Sequence, residues 1–236
     1  MIRHRFHLKQ TIATILADEE RYARAAREGI IRARQQLEQY SAGDPFFLTT
    51  FEPYPIASGI SVVDRMCDAT VKAGVGPMAA VAGAIAWAGV EAMVEDGASF
   101  GVVDNGGDIA CCSDREITIG IHAGTSGLSD RYAFVVGPRE GIFGICTSSA
   151  TVGPSISLGM ADAATIFAQD PALADAWATA VCNRATEQDT SVFDEALLGG
   201  CEGVCVIIGD WHCRKGILPK VVKARVPHDL ITGGLF

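Results

Sequence analysis

The stretch Ala73–Val90, AGVGPMAAVAGAIAWAGV, limits the folds open to this chain more than any other segment. It carries no charge and consists mostly of Ala and Gly, yet it contains Pro77 and runs directly into Glu91 and Glu95. These features favour a buried helix over a membrane-spanning one. Its small side chains permit close backbone approach. We therefore predict a helix near Met78–Glu95 that packs tightly against a β-sheet.

The N-terminal residues have a strand-like pattern followed by a helical one. The segment RHRFHLKQTIATILAD mixes alternation with β-branched residues and predicts two short strands. A helix from about Asp18 to Tyr40 follows, with Asp18 as its N-cap and Gly43 beyond its end. Its apolar positions recur every three or four residues and form a packing face, and its arginines are interpreted as a solvated face.

The remainder of the chain alternates between helical and strand patterns. Helices are predicted over Val62–Ala73 and after Asp170–Pro171, where Asp170 is a good N-cap. Strands are predicted near Phe100–Val103, Ile109–Cys112 and Ile117–His122, in YAFVVG, GIFGIC and ADAATIFA, and in a closing hairpin over residues 203–226. The pattern predicts an α+β fold with a mixed β-sheet packed with helices. We expect one domain over residues 1–236, with 1–45 forming an N-terminal β-hairpin plus long helix and 46–236 the core.

Charge and the N-terminal residues restrict the partners and the compartment. The formal net charge is −9, which disfavours nucleic acid and anionic membranes as main partners. An anionic ligand therefore needs local compensation from a metal ion or from backbone amides. The N-terminus MIRHRFHLKQ lacks the apolar region of a signal peptide, so we expect a cytoplasmic protein. We also expect its partner to be a small-molecule ligand.

The chain contains eight cysteines, most of them inside apolar runs. In a cytosolic protein such residues are usually small buried hydrophobic groups. A zinc site from Cys201, Cys205, His212 and Cys213 is the alternative. It lacks the familiar CxxC spacing, and its segment has the pattern of a strand.

The segment VVDNGGDIACC interrupts an apolar run with Asp104-Asn105-Gly106-Gly107-Asp108. Asn-Gly and Gly-Gly indicate a turn, and paired glycines also allow close approach to a ligand. A turn alone does not require an acid on each side. The two acids also argue against a simple phosphate cradle, which would offer amide groups and positive charge. A polar or metal-bridged ligand fits them better, and both interpretations remain open.

Two further segments carry side chains suited to binding a ligand. Thr147, Ser148 and Ser149 end an apolar strand, where their hydroxyls either donate to phosphate or carbonyl groups or cap a turn. In ADAWATAVCN, Asp175 and Thr179 are four residues apart and share one helix face. A carboxylate and a hydroxyl so placed form half a site for a hard cation such as Mg²⁺. The alternatives are an acid near the helix N-terminus and a hydroxyl bonded to the preceding turn.

The order of these segments resembles the ApbE superfamily, the flavin transferases. The segments are GAIAWAGVEAMVEDGASFGVVDNGGDIA, then GICTSS, then ADAWATAVCN. The resemblance implies a Mg²⁺ and FAD-diphosphate site at Asp175 and Thr179. It also implies a ligand-binding loop and strand end at Asn105, Gly106, Gly107, Asp108, Thr147, Ser148 and Ser149. The small cytosolic, uncharacterised ApbE-like branch is the nearer resemblance, over roughly residues 44–183.

Two motifs of the flavin transferases are missing from this chain. No K-G-Y-A-x-D segment occurs near AGAIAWAG, and GPSISLG stands where H-I-x-D-P-x-T-G is expected. The resemblance therefore implies a pocket for FAD or another nucleotide with Mg²⁺, with ordinary FMN transferase activity lost. No residue is assigned as a general base, and His122 beside a loop is interpreted as a hydrogen-bonded residue.

Two other functions remain open at this stage. The small branch is associated with homocysteine formation in anaerobes, which implies an accessory protein of sulfur metabolism with Cys111, Cys112 or Cys146 carrying sulfur. In that case a sulfur-metabolism protein is the partner. The third function is a non-catalytic assembly subunit, for instance within a homo-oligomer.

Overall fold

The computed structural model describes residues 1–151, 159–227 and 231–232. Within these ranges the chain forms eleven β-strands and five α-helices. The strands are β1 Ile2–Leu8, β2 Thr11–Ala17, β3 Phe100–Asn105, β4 Asp108–Ser113, β5 Ile117–Gly120, β6 Tyr132–Val136, β7 Arg139–Ser148, β8 Ala163–Ala168, β9 Gly203–Ile208, β10 Trp211–Gly216 and β11 Lys220–Lys223. The helices are α1 Glu20–Gly43, α2 Ser61–Ala73, α3 Val81–Glu95, α4 Pro171–Arg184 and α5 Ser191–Leu198.

Eight strands form the main sheet in the order β1-β2-β3-β4-β7-β8-β9-β10. The α+β class and the N-terminal hairpin with its long helix are confirmed. The expected mixed sheet is corrected, since every described pairing is antiparallel. The reason is that even the longer helical connections, such as α4 and α5 between β8 and β9, leave and re-enter the sheet at the same end.

One face of the main sheet is covered by the helices. Within the Ala/Gly-rich segment a 3₁₀ turn at Pro77–Ala80 comes first, and α3 follows it directly from Val81. Pro77–Glu95 is long and apolar enough to cross a membrane by length and composition, and half of its most apolar window is buried. It packs against α1, α4 and strands β3 and β4, so it is a core helix of this fold.

A second sheet, in the order β11-β6-β5, covers part of the opposite face. One apolar cluster joins the two sheets. It contains Ile117, Ile121 and Phe134 from the second sheet and the loop after β5, together with Ile109 and Ile145 of the main sheet. The predicted closing hairpin is correct for β9 and β10 only. Strand β11 leaves that hairpin and pairs with β6 instead.

The predicted helix caps differ in outcome. The Asp170 side chain accepts a hydrogen bond from Leu173 N at 2.9 Å, which confirms it as the N-cap of α4. Asp18 is not the cap of α1, because its carboxylate instead accepts hydrogen bonds from the Arg115 guanidinium at 2.7 and 3.3 Å. Glu19 holds the cap position of α1 without a side-chain cap bond.

The cysteines behave as predicted for small buried groups. None of the eight forms a disulfide, and all except the half-exposed Cys213 are buried. No group of three or more His, Cys, Asp or Glu side chains able to hold a metal occurs in the described ranges.

Candidate functional site

A cleft of about 2230 Å³ opens at one end of the main sheet. We call this end, where the β3–β4 turn and the C-terminal end of β7 lie, the cleft end. All the residues predicted from the sequence to bind a ligand line this single cleft. They are Asn105, Gly106, Gly107, Asp108, Thr147, Ser148, Ser149, Asp175 and Thr179. The segment GPSISLG lies almost entirely outside the described residues.

The β3–β4 connection is a two-residue turn in which both glycines have positive φ. Gly106 has φ 73° and Gly107 has φ 103°, as a tight hairpin turn of this hand requires. The Asp104 carboxylate accepts a hydrogen bond from Gly107 N at 2.9 Å, and Gly107 O accepts one from Thr147 N at 3.1 Å. The first acid of the motif therefore closes the turn, and the turn is anchored to the end of β7.

The second acid of the motif, Asp108, faces Asp175 on α4. The two carboxyl groups hydrogen-bond to each other, and Asp175 also accepts a hydrogen bond from Gly83 N at 2.8 Å. Asp175 is only 7% exposed. Among the described residues, Asp108 Oδ1 is buried without any hydrogen-bond partner. The turn thus needs an acid on each side because one closes it and the other meets a carboxyl group from a helix.

Burial and like charge perturb both of these acids. Burial is the main cause that raises the pKa of Asp108 well above its ordinary value. The negative charges of Asp175 and Asp104 raise it further. Burial raises the pKa of Asp175 to about 7, although amides of α3 partly offset the shift. Two carboxylates in contact strongly disfavour full ionisation. The pair therefore holds either a shared proton or a cation.

A hard cation fits this donor set better than a soft one does. Carboxylate and hydroxyl oxygens are the ligands that Mg²⁺ prefers, and Mg²⁺ usually keeps several waters or ligand oxygens. Thr179 lies one helical turn beyond Asp175 and is half-buried at the cleft. Because Asp108 and Asp175 together supply only two carboxyl groups, oxygens from a ligand and from water would have to complete the coordination.

Other predicted residues shape the cleft through their side chains. Asn105 Nδ2 donates to Ala82 O at 3.1 Å, which ties the glycine turn to the start of α3. The Thr147 and Thr165 hydroxyls lie 2.9 Å apart across β7 and β8. Ser149 Oγ accepts a hydrogen bond from Thr151 N at 3.1 Å. These contacts fix the backbone at the cleft end.

The sequence patterns missed two contributions to the cleft. The backbone amides of Ala82 and Gly83, at the start of α3, donate hydrogen bonds to Asp175. Gly83 and Asp175 are 92 residues apart in the chain, a separation that no local pattern reveals. The helical spacing predicts a solvated position for Arg34, but its side chain is only 12% exposed and lines the cleft. Its guanidinium donates to Thr11 Oγ1 at 2.7 Å because the β1–β2 hairpin covers this side of α1.

Replacing Gly106 with Val is expected to cost about 1–2 kcal/mol of unfolding free energy and to abolish ligand binding in the cleft. Its backbone has φ 73°, which a β-branched residue rarely adopts. Gly97→Val is the matched control, because Gly97 also has positive φ and open space around it but lies outside the cleft. Denaturant unfolding and calorimetry should show similar destabilisation in both variants and loss of binding only in Gly106→Val. Equal binding by the two variants would contradict a role for the turn in binding.

Comparison with known proteins gives one family and one fold. The family model described as AbpE bacteria matches residues 2–196. A UPF0280 protein of Methanoculleus marisnigri is 58% identical over 234 residues, covering 99% of this chain and 96% of the relative. A UPF0280 protein of Methanosphaerula palustris is 53% identical over 234 residues, covering 99% of both chains.

Solved structures of flavin transferases share the fold. A variant of the flavin transferase ApbE from Vibrio cholerae superposes with a TM-score of 0.60 at 12% identity, covering 91% of this chain and 96% of the other. The ApbE protein of Thermotoga maritima gives 0.59 at 13% identity with the same coverage. At these identities the likeness concerns the fold alone.

Proposed function

The chain belongs to the family described as AbpE bacteria, with the UPF0280 proteins among its relatives, and on that premise we propose that it binds a flavin or adenine dinucleotide through its diphosphate. A divalent cation, Mg²⁺, would be held by Asp175 and Thr179 with the help of Asp108. The glycine turn and the end of β7 would lie beside the ligand. FAD is the candidate ligand because the neighbours in fold are flavin transferases.

The observation that carries this proposal is the buried Asp108–Asp175 pair. Asp108 Oδ1 is buried and unpartnered in the described part of the chain, and the opposing carboxyl group of Asp175 has a raised pKa. Such an arrangement is costly without a counter-charge. A bound Mg²⁺ would reduce the repulsion between the two acids and join them to oxygens of the diphosphate.

The ordinary FMN transfer of the flavin transferases is not part of the proposal. That chemistry is associated with a K-G-Y-A-x-D segment and an H-I-x-D-P-x-T-G segment, and neither motif occurs in this sequence. The proposal is limited to the binding of a diphosphate with a cation.

The structure offers less support for sulfur handling by the candidate cysteines. Burial raises the pKa of Cys111 and Cys146 well above the ordinary thiol value and that of Cys112 to about 11. A sulfur carrier needs an accessible thiolate. We therefore propose ligand binding, and not persulfide transfer, as the function of this site.

The proposal is tested by titration calorimetry of the protein with FAD and with ADP, each with and without Mg²⁺. We expect both compounds to bind at the micromolar level in the presence of Mg²⁺, and affinity to fall by at least about tenfold when EDTA removes the cation. Adenosine, which lacks the diphosphate, is the control ligand. Equal affinity with and without the cation, or no binding of either compound, would refute the proposal.

A further inference from the structure

A second group of polar side chains lines the cleft where the β1–β2 hairpin meets α1. We call this group the hairpin corner, and its members are Lys9, Gln10, Thr11, Arg34 and Glu38. Arg34 connects the others. Its Nη1 donates a hydrogen bond to Thr11 Oγ1 at 2.7 Å, and its Nη2 donates to Gln10 Oε1 at 2.8 Å and to Glu38 Oε1 at 3.3 Å. A largely buried guanidinium therefore lies at one side of the cleft in a strongly acidic protein.

The guanidinium of Arg34 has hydrogen-bonding capacity left over. It carries five N–H donors, and its three bonds in the hairpin corner use three of them. Within the part of the chain that the structure describes, Arg34 Nε is buried and has no hydrogen-bond partner. A buried donor normally has a partner, and a guanidinium matches the oxygens of a phosphate in particular. The incomplete bonding of Arg34 is what an anionic group of a ligand would complete.

Lys9 brings a second positive charge to the hairpin corner. It lies in the β1–β2 turn with φ 54°, a left-handed conformation that residues other than glycine rarely adopt. Strained backbone of this kind is frequent at ligand sites. Lys9 Nζ donates to Glu38 Oε2 at 2.6 Å, and Arg34 donates to the other oxygen of the same carboxylate. Two cations thus share one acid, which leaves the corner with an excess of positive charge.

The strand register places the hairpin corner within one nucleotide length of the Asp108–Asp175 pair. Ala13 of β2 pairs with Asn105 of β3, which pairs with Asp108 of β4. Thr11 is two residues before Ala13 and lies on the same face of the sheet. Two strand spacings and two residues along the strand put the Cα atoms of Thr11 and Asp108 roughly 12 Å apart. A nucleotide held at the acid pair by its diphosphate can therefore reach the corner with a group on its ribose.

We propose that the hairpin corner is a second anion site, which binds a phosphate group on the ribose of the nucleotide. This inference rests on the proposed function and narrows the ligand class to adenine nucleotides that carry a further phosphate besides the diphosphate. A phosphate monoester suits the corner better than a carboxylate does, because it has nearly two negative charges at pH 7 and three acceptor oxygens. These match the two cations, Lys9 and Arg34, and the unused donors of the guanidinium.

A purely structural role is the alternative for the hairpin corner, in which Arg34 only ties the hairpin to α1. The two roles differ in what Glu38→Gln does. If the corner binds phosphate, the Glu38 carboxylate competes with that phosphate for Lys9 and Arg34, and its removal strengthens binding of the phosphorylated nucleotide. A structural role predicts a weaker hairpin contact and no change in the preference for one nucleotide over another.

The experiment is titration calorimetry with Mg²⁺ and three probes: ADP, 2′-phospho-ADP and 3′-phospho-ADP. We expect the wild type to bind one of the two phosphorylated probes at least about tenfold more tightly than ADP, and the pair shows which ribose hydroxyl carries the phosphate. The ratio of the two Kd values should fall to about one in Arg34→Met and rise by about threefold in Glu38→Gln. Arg27→Met is the matched control, because Arg27 is on the same helix, pairs with Glu20 and lies outside the cleft. Its ratio should equal that of the wild type.

The outcomes separate this inference from the proposed function. Equal affinity of the wild type for ADP and both phosphorylated probes overturns the second anion site and leaves the binding proposal standing. A preference that Arg34→Met retains, or that Glu38→Gln does not increase, overturns it as well. If Arg34→Met fails to fold, Lys9→Met replaces it, because the Lys9 side chain is exposed, and an unchanged ratio in that variant counts in the same way. Failure to bind any of the three probes with Mg²⁺ overturns the proposed function, and the inference falls with it.

Discussion

Replacing Asp175 with Asn is expected to raise the free energy of unfolding of the metal-free protein at pH 8 by on the order of 2 kcal/mol. The pKa of Asp175 is about 7 in the folded protein, against an ordinary value of 3.8. Between these two pKa values the Asp175 carboxyl group is ionised only in the unfolded state. The free energy of unfolding therefore falls as the pH rises through this window and is constant above it. Asn removes the charge, keeps the size, and still accepts the hydrogen bond from Gly83.

The same substitution is expected to abolish Mg²⁺-dependent binding of FAD and ADP. Urea unfolding at a series of pH values between 4 and 8.5, with and without Mg²⁺ and ADP, measures both effects. Asp68→Asn is the control, because Asp68 is exposed on α2 and away from the cleft. The difference between Asp175→Asn and the wild type should grow from pH 4 to pH 7. A loss of stability at every pH, together with retained Mg²⁺-dependent binding, would refute the assigned role of Asp175.

Adding a single methyl group at Gly83 is expected to destabilise the protein by about 1–3 kcal/mol, and Gly83→Leu by more. A Cβ at this position would lie 2.4 Å from the Pro171 carbonyl oxygen and 2.8 Å from the Asp175 Cβ. The first of these is backbone of α4, which cannot move away without displacing the Asp175 carboxylate. The substitution should therefore weaken ligand binding as well as stability.

Gly89, two turns further along α3, is the matched control. A Cβ there would meet only the side-chain ends of Ile30 and Val103, at 3.1 Å. Because Ala is favoured over Gly within a helix by roughly 1 kcal/mol, Gly89→Ala should be close to neutral. Denaturant unfolding of the two variants measures the contrast. Equal stabilities would show that α3 and α4 do not approach as closely as the structure has them.

The local features of this fold follow from local sequence signals. Paired glycines after an apolar strand predict the β3–β4 turn, because few other residues adopt positive φ twice in succession. Asp170-Pro171 predicts the start of α4 for the same kind of local reason. The Ala/Gly-rich composition predicts a core helix, since small side chains allow the close contact seen at Gly83.

The errors concern interactions between distant parts of the chain. Asp18 has the pattern of a cap, but Arg115, 97 residues away, binds its carboxylate. Arg34 has the spacing of a solvated face, yet the β1–β2 hairpin covers it. Similarly, Asp108 and Asp175 come from separate motifs, and only the tertiary fold shows that their carboxyl groups meet. The resemblance to ApbE proteins, and not periodicity, suggested that the two motifs share a site.

Anomalous diffraction from crystals grown with Mn²⁺ and ADP tests the central claim most directly, because Mn²⁺ occupies hard oxygen sites as Mg²⁺ does and is located without ambiguity. We expect a manganese peak bound to the Asp175 carboxylate, beside Asp108, with oxygens of the ADP diphosphate among its ligands. ADP bound in the cleft without a metal at the Asp108–Asp175 pair, or manganese found only at another place on the protein, would contradict it.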